Sequence, residues 1–462
     1  MRKPRIGILG IMQELYDAFI PGITERQESY ARDVAAQLAD VADCHFPRAA
    51  RNRADIEAVM DEFNAGNYDG VLMMNLCYGP GLNLYNALRD NRLPLMIANI
   101  QPVPTVTDDW DMNDLTYNQG VHGAQDTANA VMRAGIQCPI ISEDWRSEAF
   151  KTFVRDWAAA ARTVRELRRT KIAAIGQMTG MGDILSDHAL VMSKLGPQID
   201  QVNTGLIYAE FEKATDEEVQ AVMDENRANF EIDANLKDED HAYAARFQVA
   251  ISKILTGGGY SGFSFYFNAP AEDGRFRQLP LMASSNLLAK GYGYAAEGDT
   301  TCCTLVTAGH LLEENSQFTE MYAMDFERNS ALMSHMGEGN WKIARPDRPI
   351  RLVDRPLGIG GLDNPPTIVF MGQPGPATLT DLVATNDGNF RLIVSRGDIL
   401  DTPEMPNVEM PYYHFRPESG VRACLDAWLA NGGSHHQCLH LGDLSRRWQM
   451  LARMLDIECV TV

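Results

Sequence analysis

Three short, unbroken apolar runs occupy the first hundred residues: Arg5-Ile-Gly-Ile-Leu-Gly10, Asp69-Gly-Val-Leu-Met-Met74 and Leu93-Pro-Leu-Met-Ile-Ala98. None shows the polar alternation of a half-exposed strand, so each has to be buried on both faces, as strands of a parallel sheet are. Between them lie segments of helical period. In residues 25–40, Tyr30, Val34 and Leu38 recur every fourth position, and a second helical pattern surrounds Ile56 to Phe63. Strand, helix and strand in this order require right-handed crossovers and an open parallel sheet. Ligands bind such sheets at the carboxyl ends of the strands, which here are the loops 12–16, 75–80 and 99–104.

The same texture continues past a helix at residues 147–167, where Phe150, Val154, Trp157, Ala161 and Val164 share one face. A basic patch, Arg165 to Lys171, then leads into a new strand, Ile172 to Ile175, and a domain boundary is placed near residue 170. The acidic stretch 210–239 is read as the solvated face of helices. A helix at 242–255 is closed by Gly257-Gly258-Gly259, and 260–267 alternates small and aromatic residues as a strand does. Beyond residue 328, Pro346, Pro349, Pro356, Pro365, Pro366, Pro374 and Pro376 punctuate short β-like runs. A chain of 462 residues has room for three domains. The expected fold class is therefore α/β: two Rossmann-like doubly wound domains, residues 1–170 and 171–328, followed by a mostly β, barrel-like domain, residues 329–462.

Charge and thiols narrow the partners. A formal net charge of −21 repels phosphate backbones and anionic lipid, which argues against nucleic acid and membrane surfaces. No apolar run approaches the ~20 residues needed to span a bilayer. The N-terminal apolar run, Ile6 to Met12, has no small-residue cleavage site behind it and does not read as a secretory signal. The eight cysteines form no CxxC pair and read as free thiols in a reducing compartment, so a cytoplasmic protein is expected.

Glycine clusters are tempting but bland. Gly7-Ile8-Leu9-Gly10 lacks the spacing of a dinucleotide fingerprint, Gly358-Ile359-Gly360-Gly361 lacks a phosphate-loop lysine, and Ser261 sits one residue out of step for a nucleophile elbow. More informative are carboxylates and imidazoles in small, low-charge surroundings: Ala296-Glu297-Gly298, Thr319-Glu320-Met321, Ser334-His335-Met336 and Ser434-His435-His436. An ionised side chain buried in such a setting needs a partner. Two carboxylates with two imidazoles form a mixed oxygen and nitrogen shell suited to Mn²⁺, with Co²⁺, Mg²⁺ or Fe²⁺ as substitutes, and leave octahedral positions open.

At these residues the sequence resembles the L-arabinose isomerase family and, more remotely, the L-fucose isomerase group. The resemblance is densest in Gly291-Tyr-Gly-Tyr-Ala-Ala-Glu297-Gly-Asp299, Met333-Ser-His335-Met336, Pro356-Leu-Gly-Ile-Gly-Gly361, Thr402-Pro-Glu-Met-Pro406 and Asn431-Gly-Gly-Ser-His435-His436. It implies Glu297, Glu320, His335 and His436 as metal ligands, the two glutamates also moving protons, with His435 as the second choice in the double histidine. It further implies Gln13, Leu185, Phe267, Gln119, His122 and His435 as substrate contacts. The segment Asn118-Gln-Gly-Val-His122-Gly123 resembles one that enters a neighbouring subunit's site, which implies a homo-oligomer, a trimer or hexamer, with active sites at subunit interfaces. The activity implied is aldose–ketose isomerisation of a sugar such as L-arabinose through an enediol. The family's Trp-Lys after Glu297-Gly298-Asp299 is replaced by Thr300-Thr301, the run after Glu320 becomes Met321-Tyr322-Ala323-Met324-Asp325, and residues 268–277 are longer than the family pattern. An isomerase or epimerase acting on another sugar, and a non-catalytic sugar-binding protein, are the rival expectations.

Overall fold

The computed structural model describes residues 1–462, the side chain of Ile359 excepted, and the chain divides into two compact units. The first comprises Met1–Arg165 with Gln449–Leu455, and the second Glu166–Trp448 with Asp456–Val462.

In the first unit the three apolar runs form the strands Arg5–Ile11, Gly70–Asn75 and Leu95–Asn99 at the centre of a fully parallel sheet. Asp43–His45 and Ile140–Ser142 flank them. The helical patterns become Ile23–Gln37 and Arg53–Ala65, the latter started by Asn52, whose side chain accepts from Asp55 N at 3.0 Å. Val59 and Phe63 pack with Leu9, Ile11, Val71 and Ile97 as one apolar core. Gly7 explains itself here: a Cβ at that position would meet the Phe63 ring at 2.8 Å, so the glycine lets a large aromatic lie on the strand. Burying Phe63 in this way contributes about 2–3 kcal/mol.

The second unit opens with a four-stranded parallel sheet, in spatial order Gly293–Ala296, Gly262–Phe265, Lys171–Ile175 and Gln198–Gln201. The acidic stretch forms the helices Thr204–Lys213 and Asp216–Asn229, the second begun by a capping box of Thr215 and Glu218. Val219 and Met223 turn inward while the acidic side chains face water. The glycine triplet ends the helix Asp238–Gly258, with Gly259 supplying the left-handed residue at φ 67°.

Downstream, six antiparallel strands close on themselves. Their order is Gly375–Ala384, Gln437–Leu441, Gln317–Asp325, Ser330–Ser334, Tyr412–Pro417, Phe390–Ile399 and back to Gly375–Ala384. Closure removes the sheet edges, and Leu379, Ile393, Tyr413, Phe415 and Leu439 belong to the apolar core it helps enclose. Parallel α/β sheets followed by a β-barrel meet the expected fold class.

Candidate active site

Glu297 stands at the carboxyl end of the strand Gly293–Ala296, where ligands of parallel sheets are expected. Its backbone is held between Phe265 O, which accepts from Glu297 N at 2.9 Å, and Met178 N, which donates to Glu297 O at 2.8 Å. The residue adopts φ 66°, a left-handed conformation that costs a non-glycine about 1–2 kcal/mol. Gly298 follows at φ 86°, and a Cβ there would lie 2.6 Å from Gln177 Cα, so no larger residue fits. Asp299 then caps the helix Thr300–Leu312 by accepting from Cys302 N at 2.8 Å.

The other three come from one end of the barrel, and strand register puts them together. Glu320 lies on Gln317–Asp325 opposite Ser334, and His335 follows Ser334 directly. On the other side of the same strand Thr319 pairs with Gln437, and His436 precedes Gln437 directly. Both imidazoles therefore emerge beside Glu320. A β-bulge between Met321 and Ala323 leaves Tyr322 unpaired next to it.

The four side chains converge. His436 Nε2 lies 3.3 Å from Glu320 Oε1 and 3.6 Å from Glu297 Oε2, and His335 Nε2 lies 3.7 Å from Glu320 Oε1. Both glutamate side chains are 14% exposed and that of His436 is 0%. His435 Nε2 approaches the same carboxylates at 3.8 and 3.9 Å. Leu185, by contrast, is 54% exposed on its loop, and Phe267 is half-buried with its ring against Tyr266. In the first unit, Gln13 follows the strand Arg5–Ile11, Gln119 donates to Tyr16 Oη at 2.9 Å, and His122 packs its ring on Tyr78.

Each of the three imidazoles has a carboxylate behind it on Nδ1. Glu338 Oε2 is 2.7 Å from His335, Asp299 Oδ2 is 2.9 Å from His436, and Asp183 Oδ2 is 2.6 Å from His435. Glu338 is further fixed by Tyr294 Oη, which donates to it at 2.6 Å. Such pairs place the proton on Nδ1 and leave Nε2 to face the centre. The sequence reading did not assign Glu338, Asp183 or Asp299 a role. Glu338 had a signal, three residues past His335 between two glycines, whereas Asp183 is 252 residues from its partner and had none.

The cluster polarises its members strongly. Burial works against charge on His436, but the Asp299 and Glu320 carboxylates overcome it and hold the imidazole up at about 10. His335 is likewise raised, burial being outweighed by Glu338 and Glu320. Burial pushes Glu320 up, yet His335 and His436 bring it down to about 2.

The donor set fits a divalent cation. Glu297 Oε2 and His436 Nε2 are both buried with no hydrogen-bond partner among the described residues. Unpaired buried polar atoms carry a desolvation cost of about 1–3 kcal/mol each, which a shared ligand would relieve. Glu320, His335 and His436 form one possible ligand triad and Glu297, His435 and His436 another.

The chain is similar to known proteins over most of its length. A model of the L-arabinose isomerase central domain matches residues 178–315, and one of the L-arabinose isomerase C-terminal domain matches residues 315–458. L-arabinose isomerase 1 of Bacillus licheniformis is 28% identical over 422 residues, covering 88% of this chain and 84% of that protein. L-arabinose isomerase of Clostridium beijerinckii is 26% identical over 464 residues, covering 95% and 93%. That of Bacillus subtilis is 27% identical over 408 residues, covering 85% and 80%.

Proposed function

The chain belongs to the L-arabinose isomerase family and is an aldose–ketose isomerase, and from that premise we propose that it interconverts L-arabinose and L-ribulose at a divalent-metal centre, through an enediol. Family membership sets aside a non-catalytic sugar-binding role. The observation that carries the metal reading is the convergence of Glu297, Glu320, His335 and His436 around two unpartnered buried atoms. Mn²⁺ suits this mixed shell, and Co²⁺, Mg²⁺ or Fe²⁺ can replace it. Bound there, the cation supplies Lewis-acid stabilisation of the negative charge that develops on the sugar's carbonyl and hydroxyl oxygens.

The protein's own part is proton transfer and placement. One glutamate takes the C–H proton of C2 and returns it to C1, and the other carries a proton between the two oxygens. Glu297 and Glu320 share these roles. His335 and His436, locked by Glu338 and Asp299, hold the centre from the barrel side. His435, 38% exposed beside both glutamates, contacts the sugar together with Leu185 and Phe267, while Gln13 is a further sugar contact and the segment bearing Gln119 and His122 enters a neighbouring subunit's site. A cytoplasmic homo-oligomer, a trimer or hexamer with active sites at subunit interfaces, belongs to the same reading. Among the described residues no helix is long and apolar enough to cross a membrane.

A second substrate reading, another sugar isomerised or epimerised through the same enediol, is favoured by the Thr300-Thr301 pair. Thr301 N and Oγ1 each lie 2.9 Å from Ser186 Oγ, and Ser186 Oγ is 3.3 Å from Asp299 Oδ1, so this pair ties the 177–187 loop to the helix start beside the site. A methylene-scale change in a pocket shifts discrimination by about 1–3 kcal/mol. Pentoses, 6-deoxyhexoses and hexoses incubated with chelated and Mn²⁺-restored protein, with products resolved by chromatography, decide between them. L-ribulose formed from L-arabinose only with metal supports the first reading, and turnover that survives chelation refutes the metal centre. Glu297→Gln and Glu320→Gln should each lower kcat by about 10²–10⁴ with metal still bound; near-native turnover in either removes that glutamate from proton transfer.

A further inference from the structure

Asp381 sits on the barrel strand Gly375–Ala384 and is 1% exposed. Its carboxylate accepts from Ser434 N at 2.5 Å and from Leu382 N at 2.6 Å, and Ser434 Oγ lies 2.9 Å away. No cation pairs with it among the described residues; every partner is a neutral donor. Burial pushes its carboxyl up to about 7. An apolar side chain in its place would leave the buried Ser434 and Leu382 N–H groups without an acceptor, so the role of this carboxyl group lies in the segments it ties together.

That role is legible in what Ser434 precedes. The turn Asn431–Ser434 passes through Gly432 at φ 77° and Gly433, where a Cβ would overlap the Trp428 ring at 2.1 Å, and leads straight into His435 and His436. Every polar group of Ser434 is held. Asp381 takes its N–H, Trp428 Nε1 and Gln437 Nε2 donate to its carbonyl at 3.2 and 2.7 Å, and its hydroxyl lies 2.9 Å from both Asp381 Oδ1 and the His436 carbonyl oxygen. Asp299 meanwhile orients the His436 ring from the other side.

We infer that Asp381 is a positioning residue: through Ser434 it fixes the twin-histidine turn so that the His435 and His436 Nε2 atoms face the Glu297 and Glu320 carboxylates. The inference rests on the metal-centre reading above. Asp381 touches neither candidate ligand side chain and acts through the backbone of the turn.

Asp381→Asn preserves shape but presents an NH₂ to one of the N–H donors. Ser434→Ala removes only the hydroxyl bridge. Both are purified metal-free, melted, and titrated with Mn²⁺ while free aqueous Mn²⁺ is followed by electron paramagnetic resonance. The Mn²⁺ Kd should rise about 10–100-fold in Asp381→Asn, the range typical of losing an outer partner of a metal ligand, and less in Ser434→Ala, with kcat restored at saturating metal. A Kd within twofold of the natural protein's in both variants overturns the inference, whatever happens to the melting temperature, since a merely structural post moves Tm and not Kd. Should Asp381→Asn not fold, Ser434→Ala alone decides on the same criterion. His436→Ala separates the two layers. If it binds Mn²⁺ as the natural protein does, or if neither binds, the metal centre fails and takes the inference with it. If only His436→Ala loses Mn²⁺, a natural-like Kd in Asp381→Asn sinks the inference and leaves the centre standing.

Discussion

Acidification from pH 6.5 towards 4.5 should destabilise the metal-free second unit steeply, and the slope can be worked from four buried groups. Burial lowers His241 to about 4, His440 to about 4, and His310, beside His440, to about 3. All three are neutral in the folded state at pH 5, whereas in the unfolded chain, with an ordinary value near 6.5, they are protonated. The unfolded state therefore binds three more protons, and stability falls as pH drops below 6.5 towards 4. Asp381 opposes them. Raised to about 7, it holds a proton in the folded state that the unfolded chain releases down to its ordinary carboxylate value, so its own contribution grows as pH falls. His335, His435 and His436 are raised, are charged in both states below 6.5, and drop out. A net two protons at about 1.4 kcal/mol per unit each gives a slope of about 3 kcal/mol per pH unit. From pH 6 to 4.5 this is about 4 kcal/mol, a large part of the ~5–15 kcal/mol that keeps a typical domain folded. All four groups belong to the second unit, so its transition is the one to follow, by urea midpoint at constant ionic strength. His241→Gln, placed against the same Asn226 amide, should roughly halve the slope. Stability that stays flat or rises on acidification, or a slope unchanged in His241→Gln, refutes the reasoning.

Two further perturbations probe the site's framework. Gly298→Ala forces a Cβ onto Gln177 at φ 86° and should cost more than the ~1–2 kcal/mol of left-handed strain, lowering Tm and displacing Glu297 so that kcat falls as well; an alanine variant with unchanged Tm and kcat would show the close approach to be harmless. Asp183→Asn loosens His435, and since that pair is partly exposed and serves the sugar in this reading, KM should rise several-fold while Mn²⁺ affinity stays within twofold. A tenfold loss of Mn²⁺ affinity would instead count His435 among the groups that hold the metal.

The secondary structure was largely legible. Continuous apolar runs became central parallel strands because such runs can only be satisfied by burial on both faces, and the helix 147–167 appears as Glu148–Leu167 with Phe150, Trp157 and Val164 buried. Glu297, Glu320, His335 and His436 stood out because charged or titratable side chains in apolar surroundings need partners. The carboxylates behind His435 and His436 carry no such mark. Asp183 and Asp299 meet His435 and His436 across 252 and 137 residues of chain, and no local pattern encodes such a meeting. Asp381 lies in the run Leu379-Thr380-Asp381-Leu382-Val383, and no local pattern there marks its meeting with Ser434, 53 residues further along the chain.

By itself, the order of residues along this chain determined which segments are strands and helices, the α/β class, the acidic surface and the residue types able to hold a cation. Those properties are local, set by the period of apolar side chains and by composition. Only the tertiary structure decided that Thr319 pairs with Gln437 and Glu320 with Ser334, the register that brings His436 and His335 to either side of one glutamate. Hydrogen-bond register, ring closure and the pairing of each imidazole with a distant carboxylate depend on contacts whose energy appears only when the chain has folded, and so they leave no periodicity to read.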